Sequence, residues 1–339
     1  MNDFSSSILS WYSENQRDLP WRHTRDPYRI WVSEIMLQQT RVEAVKPYYD
    51  RFLAALPDLP ALANVDPDVL YKLWQGLGYY SRARNMKRAA QICLEKYHGA
   101  LPPSFDDLRA LPGVGSYTAA AIASFAFGVP VPAVDGNVRR LVSRFLALDL
   151  PVGTPASDRV ITDFLRSVIP NESPADFNQA TIELGATVCG PDRSPRCGGC
   201  PLLTSCQAFA RNLTDSLPVR LPKPARRVEQ RTPLILLFNH STALEKRPDR
   251  GLLSGLWQFP ALEGFADEHS VRSFLLSHGC SVSSITPLPP ASHVFTHITW
   301  EMRAFLVCLS SPGSFTFYSP EQRRSLAMPS AFKAYQAFW

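Results

Sequence analysis

Residues 111–140, LPGVGSYTAAAIASFAFGVPVPAVDGNVRR, decide how the chain reads. Leu111-Pro112-Gly113-Val114-Gly115 ends one helical pattern, and Tyr117–Phe127 carries the next. Two glycines in five residues permit backbone angles that other residues resist, and they allow close approach of a ligand. The free N–H groups of Gly115 and its followers then stand at a helix N-terminus. They suit phosphate oxygens and carry no base information. The same pentapeptide also serves as a plain helix–helix turn. Asp135 follows the apolar run Val131–Val134 and precedes Gly136-Asn137. It fits an N-cap for a helix over Gly136–Leu148, and it also fits an acid that faces a positive charge.

Helical patterns extend outward from this stretch through residues 1–210. Pro27 opens Tyr28–Val45, and Asp66-Pro67 opens Asp68–Trp74, which Gly76 and Gly78 stop. Ser81–Tyr97, Phe105–Leu111, Ser157–Val168 and Pro174–Val188 complete the set, and no strand run stands out. Residues 211–231, rich in Pro and basic side chains, read as a linker. From Thr232 the texture changes to short β runs at Pro233–Phe238, Leu256–Phe259, Thr299–Leu309 and Ser314–Phe317, with one amphipathic helix at Glu268–Ser277. The expected architecture is a helical domain over 1–210, a linker over 211–231, and an α+β domain over 232–339.

Two further features carry chemistry. WVSEIMLQQT (31–40) places one carboxylate, Glu34, in an otherwise uncharged helical stretch. Turned inward, its pKa rises and it becomes a general acid near neutral pH; turned outward, it is an ordinary surface Glu. With Asp135, two acids could divide the work: one protonates a leaving group, and the other stabilises a cationic sugar. Cys189, Cys197, Cys200 and Cys206 lie within eighteen residues as C-x7-C-x2-C-x5-C. Four thiolates so close make one site for [4Fe–4S] or Zn²⁺, and only one C-x2-C pair is present where a zinc ribbon usually shows two. Cys93, Cys280 and Cys308 are isolated and read as small buried hydrophobes.

Composition frames these features without deciding among them. The chain has 339 residues, 45% apolar and 19% charged, as in soluble two-domain proteins. A net charge of +5 permits a polyanionic partner without requiring one. MNDFSSSILSWYSENQ is not a signal peptide, and Ala119–Val134 is too short and too interrupted to span a bilayer. The expected location is the cytoplasm or nucleus, where seven cysteines favour metal chemistry over disulfides.

Taken together, these pieces resemble the endonuclease III superfamily of helix-hairpin-helix DNA glycosylases, and within it the MutY-type adenine-DNA glycosylases. The matching stretches are LPWR (19–22), WVSEIMLQQT (31–40), LWQGLGYYSRARN (73–85), LPGVGSYTA (111–119), VDGNVRR (134–140), FNQATIELGA (177–186) and the four cysteines. Weaker matches, GLWQFP (255–260) and HVFTH (293–297), extend through the C-terminal half. One departure is the loop of seven residues between Cys189 and Cys197, where the family usually has six; it puts the local geometry in doubt.

The resemblance implies a multi-domain α and α+β fold: an all-helical glycosylase domain with an iron–sulfur loop, followed by a Nudix-like, MutT-like domain. It implies double-stranded DNA with A:8-oxoguanine or A:G mismatches as partner, a monomer, and a [4Fe–4S] cluster held by Cys189, Cys197, Cys200 and Cys206. Adenine is flipped out of the duplex. Glu34 then protonates it, Asp135 stabilises the oxocarbenium ion, and Tyr117 supports the sugar where lyase-active relatives carry a nucleophilic Lys. Gln39 and Tyr79 match residues that push into the base stack. Trp21, Arg22 and Gln179 match pocket residues, and Gly113 and Gly115 the phosphate-binding turn. Phe295, Thr296 and His297 match the loop that contacts 8-oxoguanine. Core packing would equally account for Trp21 and Tyr79. Arg82 and Arg84 read as phosphate contacts or as a solvated helix face. Residues 264–279, GFADEHSVRSFLLSHG, retain Asp267 and Glu268 but lack the R-E-x-x-E-E run of a hydrolytic Nudix helix, so nucleotide hydrolysis is not expected. A bifunctional endonuclease III-type lyase and a non-catalytic iron–sulfur DNA-binding protein are the alternatives. Tyr117 and the C-terminal domain argue against the first.

Overall fold

The capping signals of the first half translate into helices in the computed structural model, which describes residues 2–191, 195–222, 224–248 and 250–338. They are α1 (Asn2–Asn15), α2 (Pro27–Leu37), α3 (Val42–Ala55), α4 (Leu59–Asn64), α5 (Pro67–Trp74), α6 (Ser81–Lys96), α7 (Phe105–Ala110), α8 (Ser116–Phe127), α9 (Gly136–Phe145), α10 (Pro155–Val168), α11 (Pro174–Thr187) and the short α12 (Gln207–Ala210). Side chains of Asp26, Asp66, Ser104, Asp135 and Thr154 accept backbone N–H bonds at the starts of α2, α5, α7, α9 and α10. Each removes one unsatisfied donor from a helix end.

The single pattern expected over Tyr28–Val45 is two helices. Gln39, just beyond α2, takes φ 58°, a left-handed angle that costs a non-glycine side chain energy. The chain then turns into α3, which runs through Pro47 to Ala55. Helices α1 and α4 carry weaker start signals and were not expected from the sequence.

The chain forms two units, Met1–Asn64 with Asn85–Pro222, and Val65–Arg84 with Lys223–Trp339. The first is helical, with no strand among its described residues. One of its cores joins Phe4, Ile8 and Tyr12 of α1 to Val138, Leu141 and Val142 of α9, Ile161 and Leu165 of α10, and Phe177, Ala180 and Leu184 of α11. This packing seats α9 and α11 side by side. A side chain at Gly185 would meet the carbonyl oxygen of Asn137 at 2.6 Å, so that contact requires glycine.

The second unit is α+β. Its strands are β1 (Arg227–Phe238), β2 (Ser241–Ala243), β3 (Glu245–Lys246), β4 (Trp257–Gln258), β5 (Ala261–Glu263), β6 (Cys280–Pro287), β7 (Ala291–Val294), β8 (Ile298–Met302), β9 (Phe305–Pro312) and β10 (Phe317–Tyr318). Helices α13 (Glu268–Ser277) and α14 (Pro320–Ser325) and a 3-10 segment (Ser330–Phe338) complete it. β1 begins at Arg227, inside the stretch read as linker, because its polar first half lies at the solvated end of the sheet. Along its apolar half, Leu234 and Leu236 join Val271 and Leu275 of α13, while Ile235 joins Phe332 and Tyr335 on the other face. Burial on both faces explains the unbroken apolar run.

The strand expected over Thr299–Leu309 is interrupted. β8 and β9 both run parallel to β1, with Arg231 opposite Met302 and Leu234 opposite Phe305. Pro233 lies between these pairs and has no N–H to donate, so the ladder lapses at residues 303–304.

Residues 65–84 belong to this second unit. Lys246 pairs with Asp68 at 2.9 Å, Gln75 donates to the Met328 carbonyl at 3.3 Å, and Tyr71 lies against Gly255. Arg82 is buried; it donates to the carbonyls of Leu77 and Gly78 and lies over the rings of Trp74 and Tyr79. Arg84 donates to Ser254 Oγ. Neither a phosphate contact nor a solvated face describes Arg82: it braces the turn that carries Tyr79.

Candidate active site

Three parts of the helical unit close around a cavity of about 690 Å³: the 17–42 stretch, the start of α8 with residues 134–139, and α11. Glu34, Tyr117, Asp135, Trp21, Arg22, Gln39 and Gln179 all line it. Glu34 is 5% exposed, on the inward side of α2. Burial pushes its carboxyl up from 4.5 to about 7. The negative charge of Asp135 adds to that rise, while the Tyr117 hydroxyl and Arg22 oppose it. Tyr117 donates to Glu34 Oε2 at 2.7 Å. Burial and the two neighbouring acids hold the phenol well above its ordinary value, so it is a donor here and not a phenolate.

Asp135 is both a cap and a cavity residue. Its Oδ1 accepts from the backbone N–H groups of Asn137 and Val138, each at 2.8 Å, and its Oδ2 accepts from Asn137 Nδ2 at 2.7 Å. Burial pushes its carboxyl up and these donors pull it down. They also fix the side chain, since each lone pair so used forbids rotation. Asn178 secures the approach to it: its amide accepts from Ala133 N and donates to Val131 O, both at 2.9 Å. The capping and the acidic readings of Asp135 thus describe one geometry.

The remaining pocket residues are held from behind. Trp21 meets Tyr49 edge-on at 5.5 Å, so it packs in the core and lines the cavity at once. Gln179 Oε1 accepts from the Tyr12 hydroxyl at 3.2 Å. Arg22 donates to Glu183 at 2.6 Å, and Arg17, also on the cavity wall, grips the same carboxylate at 2.6 and 2.8 Å. Sequence reading missed Arg17, Glu183, Asn137 and Asn178. Glu183 bore the signal used for Glu34, a lone carboxylate in an apolar helical stretch (ATIELGA, 180–186). Nothing local marks Arg17.

The turn before α8 needs its first glycine. Gly113 has φ 77°, and a Cβ there would meet Asn85 Cβ at 2.7 Å. No side chain caps α8, whose first residue follows Gly115. Gly113→Ala is expected to cost about 1–3 kcal/mol of stability, from backbone strain and the clash. Thermal unfolding measures the loss, and titration with duplex DNA should show weaker binding from a displaced turn.

Cys189, Cys197, Cys200 and Cys206 line one pocket with Leu141, Phe145 and Leu202. Arg144 Nη1 donates to Cys189 Sγ at 3.4 Å, and Arg140 donates to the Cys189 carbonyl at 2.7 Å. Burial and the neighbouring thiols raise the pKa of Cys197 and Cys200. Among the described residues, no group of three or more Cys, His, Asp or Glu side chains is gathered for a single metal ion. The extra loop residue expected to disturb the geometry falls in 190–196, of which 192–194 lie outside the described residues.

Tyr79, Phe295, Thr296 and His297 belong to the second unit. Tyr79 has φ 48° and is exposed, and its hydroxyl lies 2.8 Å from Thr296 Oγ1. Thr296 and His297 form the tip between β7 and β8, while Phe295 meets Trp300 edge-on at 4.9 Å. Asp267 caps α13 and Glu268 pairs with Arg272 at 2.7 Å, so the acids left from a Nudix helix serve the helix itself. Among the described residues, no helix is long and apolar enough to cross a membrane.

Residues 32–154 match the family model of the HhH-GPD superfamily base excision DNA repair protein, and residues 234–337 match that of the NUDIX domain. The chain is 33% identical over 300 residues to an adenine DNA glycosylase of Buchnera aphidicola subsp. Baizongia pistaciae, covering 87% of this chain and 83% of that one. It is 34% identical to the Mus musculus adenine DNA glycosylase (90% and 70% covered) and 32% identical to that of Homo sapiens (98% and 74%). Among solved structures, it is similar to a thermostable thymine-DNA glycosylase, with TM-score 0.57 and 30% identity over 61% of this chain and 95% of that one. It is also similar to an endonuclease III trapped as a DNA covalent intermediate, with TM-score 0.53 and 26% identity over 61% and 94%. By its helical fold, its Nudix-like second half and its relatives, the chain belongs to the adenine DNA glycosylase family.

Proposed function

We propose that this protein hydrolyses the N-glycosidic bond of adenine mispaired with 8-oxoguanine or guanine, as a monofunctional glycosylase acting as a monomer on double-stranded DNA in the bacterial cytoplasm or the nucleus. The observation that carries the mechanism is Glu34, buried in a cavity with Asp135 and held up to about 7. A carboxyl with that pKa is about half protonated at neutral pH, where an ordinary Glu is almost wholly ionised, and can give up its proton.

The flipped adenine enters the cavity, where Trp21, Arg22 and Gln179 offer a flat apolar wall and polar groups for its edge. Glu34 transfers its proton to a ring nitrogen of adenine. The C1′–N9 bond then breaks, its electron pair leaving with the neutral base. The sugar becomes an oxocarbenium ion, and the fixed Asp135 carboxylate stabilises it. Water adds to C1′ and its proton passes to the Glu34 carboxylate, leaving an abasic site and restoring the acid. Tyr117 keeps Glu34 oriented through its 2.7 Å bond. It provides no amine, so no Schiff base forms by that route. In Tyr117→Lys an amine enters the cavity, and nicking at abasic sites without alkali is the expected gain on a denaturing gel. An unchanged product pattern would remove the support for this reading of position 117.

Four thiols around one apolar pocket, with Arg144 donating to Cys189 Sγ, support a thiolate-held metal site, and the single C-x2-C pair fits iron–sulfur better than a zinc ribbon. Cys189, Cys197, Cys200 and Cys206 would hold a [4Fe–4S] cluster. These residues would hold such a cluster away from the cavity of Glu34 and Asp135, as a structural group outside the glycosidic chemistry. Gln39 and Tyr79 would push into the base stack, and the Phe295-Thr296-His297 tip would contact 8-oxoguanine.

Duplexes carrying A opposite 8-oxoguanine, A opposite G, and thymine glycol test the reading. After alkali treatment, cleavage at adenine in the first two and none at thymine glycol is the expected result. Nicking without alkali would favour the lyase alternative, and binding without product would favour the non-catalytic one.

A further inference from the structure

We propose that Glu183 is the positioning residue of the base pocket: it fixes Arg17 and Arg22 as a paired wall. The inference rests on the adenine-excision reading above.

Glu183 is 0% exposed, yet its carboxylate does not point into the cavity-lining set; it lies behind it. One oxygen accepts Arg17 Nε at 2.6 Å, and the other accepts Arg17 Nη2 at 2.8 Å and Arg22 Nη2 at 2.6 Å. Arg22 also donates to the Arg17 carbonyl at 2.9 Å and lies over the Tyr12 ring. Two guanidiniums from one short segment, residues 17–22, therefore meet on one buried anion of α11. Their donors hold the Glu183 carboxyl below its ordinary value, so the anion persists across neutral pH. A buried charge so expensive to desolvate needs both partners.

The arrangement has two consequences for adenine. Arginine side chains are long and lose much rotamer freedom when fixed, and Glu183 fixes them before a base arrives. Adenine's ring nitrogens are acceptors, and a guanidinium wall offers donors to them. The second consequence is electrostatic. Glu34 faces Asp135, Tyr117 and Arg22, and Arg22 pulls its pKa down. Around Glu183 itself stand Arg17, Arg22 and, through Tyr12, the edge of α1. Held on Arg22 at 2.6 Å, the charge of Glu183 should offset that of Arg22 by Coulomb's law and so keep the acid protonated to higher pH. A simple staple between segment 17–22 and α11 would share the contacts but not this effect.

Single-turnover adenine excision across pH separates the two, with wild type, Glu183→Gln, Glu183→Asp and the double variant Arg17→Met/Glu183→Gln. In Glu183→Gln the rate should fall about 10²-fold from lost positioning, with duplex affinity within about threefold of wild type. Its alkaline limb should move to lower pH, because Arg22 is no longer offset. The double variant, one positive charge fewer, should bring the limb back toward wild type. Glu183→Asp keeps the charge but shortens the reach: it should lose rate while its limb stays put, and it decides the matter if Glu183→Gln does not fold. A folded Glu183→Gln with wild-type rate and limb would overturn the proposal. So would a rate loss with an unmoved limb that the double variant leaves unchanged, or a Glu183→Asp of wild-type rate. If wild type itself releases no adenine, the adenine reading fails and takes this inference with it.

Discussion

Glu34→Gln should lower the single-turnover rate of adenine excision by about 10²–10⁴-fold, the range general acids contribute. The amide fills the same buried space and can still accept the Tyr117 hydroxyl, so the cavity keeps its shape. What it lacks is a transferable proton. Mismatch binding should persist, since the lost interaction belongs to the transition state and not to the bound duplex.

The same substitution should leave the protein more stable at alkaline pH. In the folded protein burial raises Glu34 from 4.5 to about 7, so the folded state holds its proton more tightly than the unfolded state does. Stability from this group is full below the unfolded value and is lost as pH rises through about 7, where a buried carboxyl must ionise. That loss is on the order of 3 kcal/mol. Glu34→Gln removes it. Thermal unfolding at pH 8.5 should therefore favour the variant, and the difference should shrink toward pH 5. A variant less stable than wild type at both pH values would mean that Glu34 is not desolvated as its burial implies.

Asp135→Asn should cost about 10²–10³ in excision rate, by analogy with the loss of one preorganised electrostatic stabiliser. Its structural cost should be about 1–2 kcal/mol: Asn is as good an N-cap as Asp, but its amide nitrogen would face Asn137 Nδ2, which Asp135 Oδ2 accepts now. The Asn side-chain oxygen can still accept the Asn137 and Val138 amides that Asp135 Oδ1 accepts now. The pair of measurements separates the observed cap from the proposed electrostatic role. A rate loss of less than about tenfold, no more than that structural cost explains, would leave Asp135 a cap alone.

The candidates were legible in the residues, but not their roles. Glu34 stood out as a lone acid among apolar helix neighbours that could face inward or outward, Asp135 as an acid that could cap or face a charge, and the cysteines by spacing. Their convergence was not legible, because the parts meet through residues far apart in the chain, such as Tyr117 with Glu34 and Arg22 with Glu183. Local patterns also failed where a single backbone event outweighs them. Gln39 breaks a continuous helical pattern with a left-handed angle, and Pro233 interrupts a neighbouring strand by withholding one N–H. β1 hid its first residues in a polar, Arg-rich stretch because that end of the strand is solvated. Assignment of residues 65–84 to the second unit depends on partners that come about 180 residues later, such as Lys246 for Asp68, and no local window contains them.

A buried, protonated Glu34 is the proposed acid on adenine. Its most direct test is the pH dependence of single-turnover excision by wild-type protein on a duplex with A opposite 8-oxoguanine. The rate should hold at acidic and neutral pH and then fall about tenfold per unit above a break near 7, as the acid loses its proton. A rate that stays level through pH 9, with the duplex still bound, would contradict it.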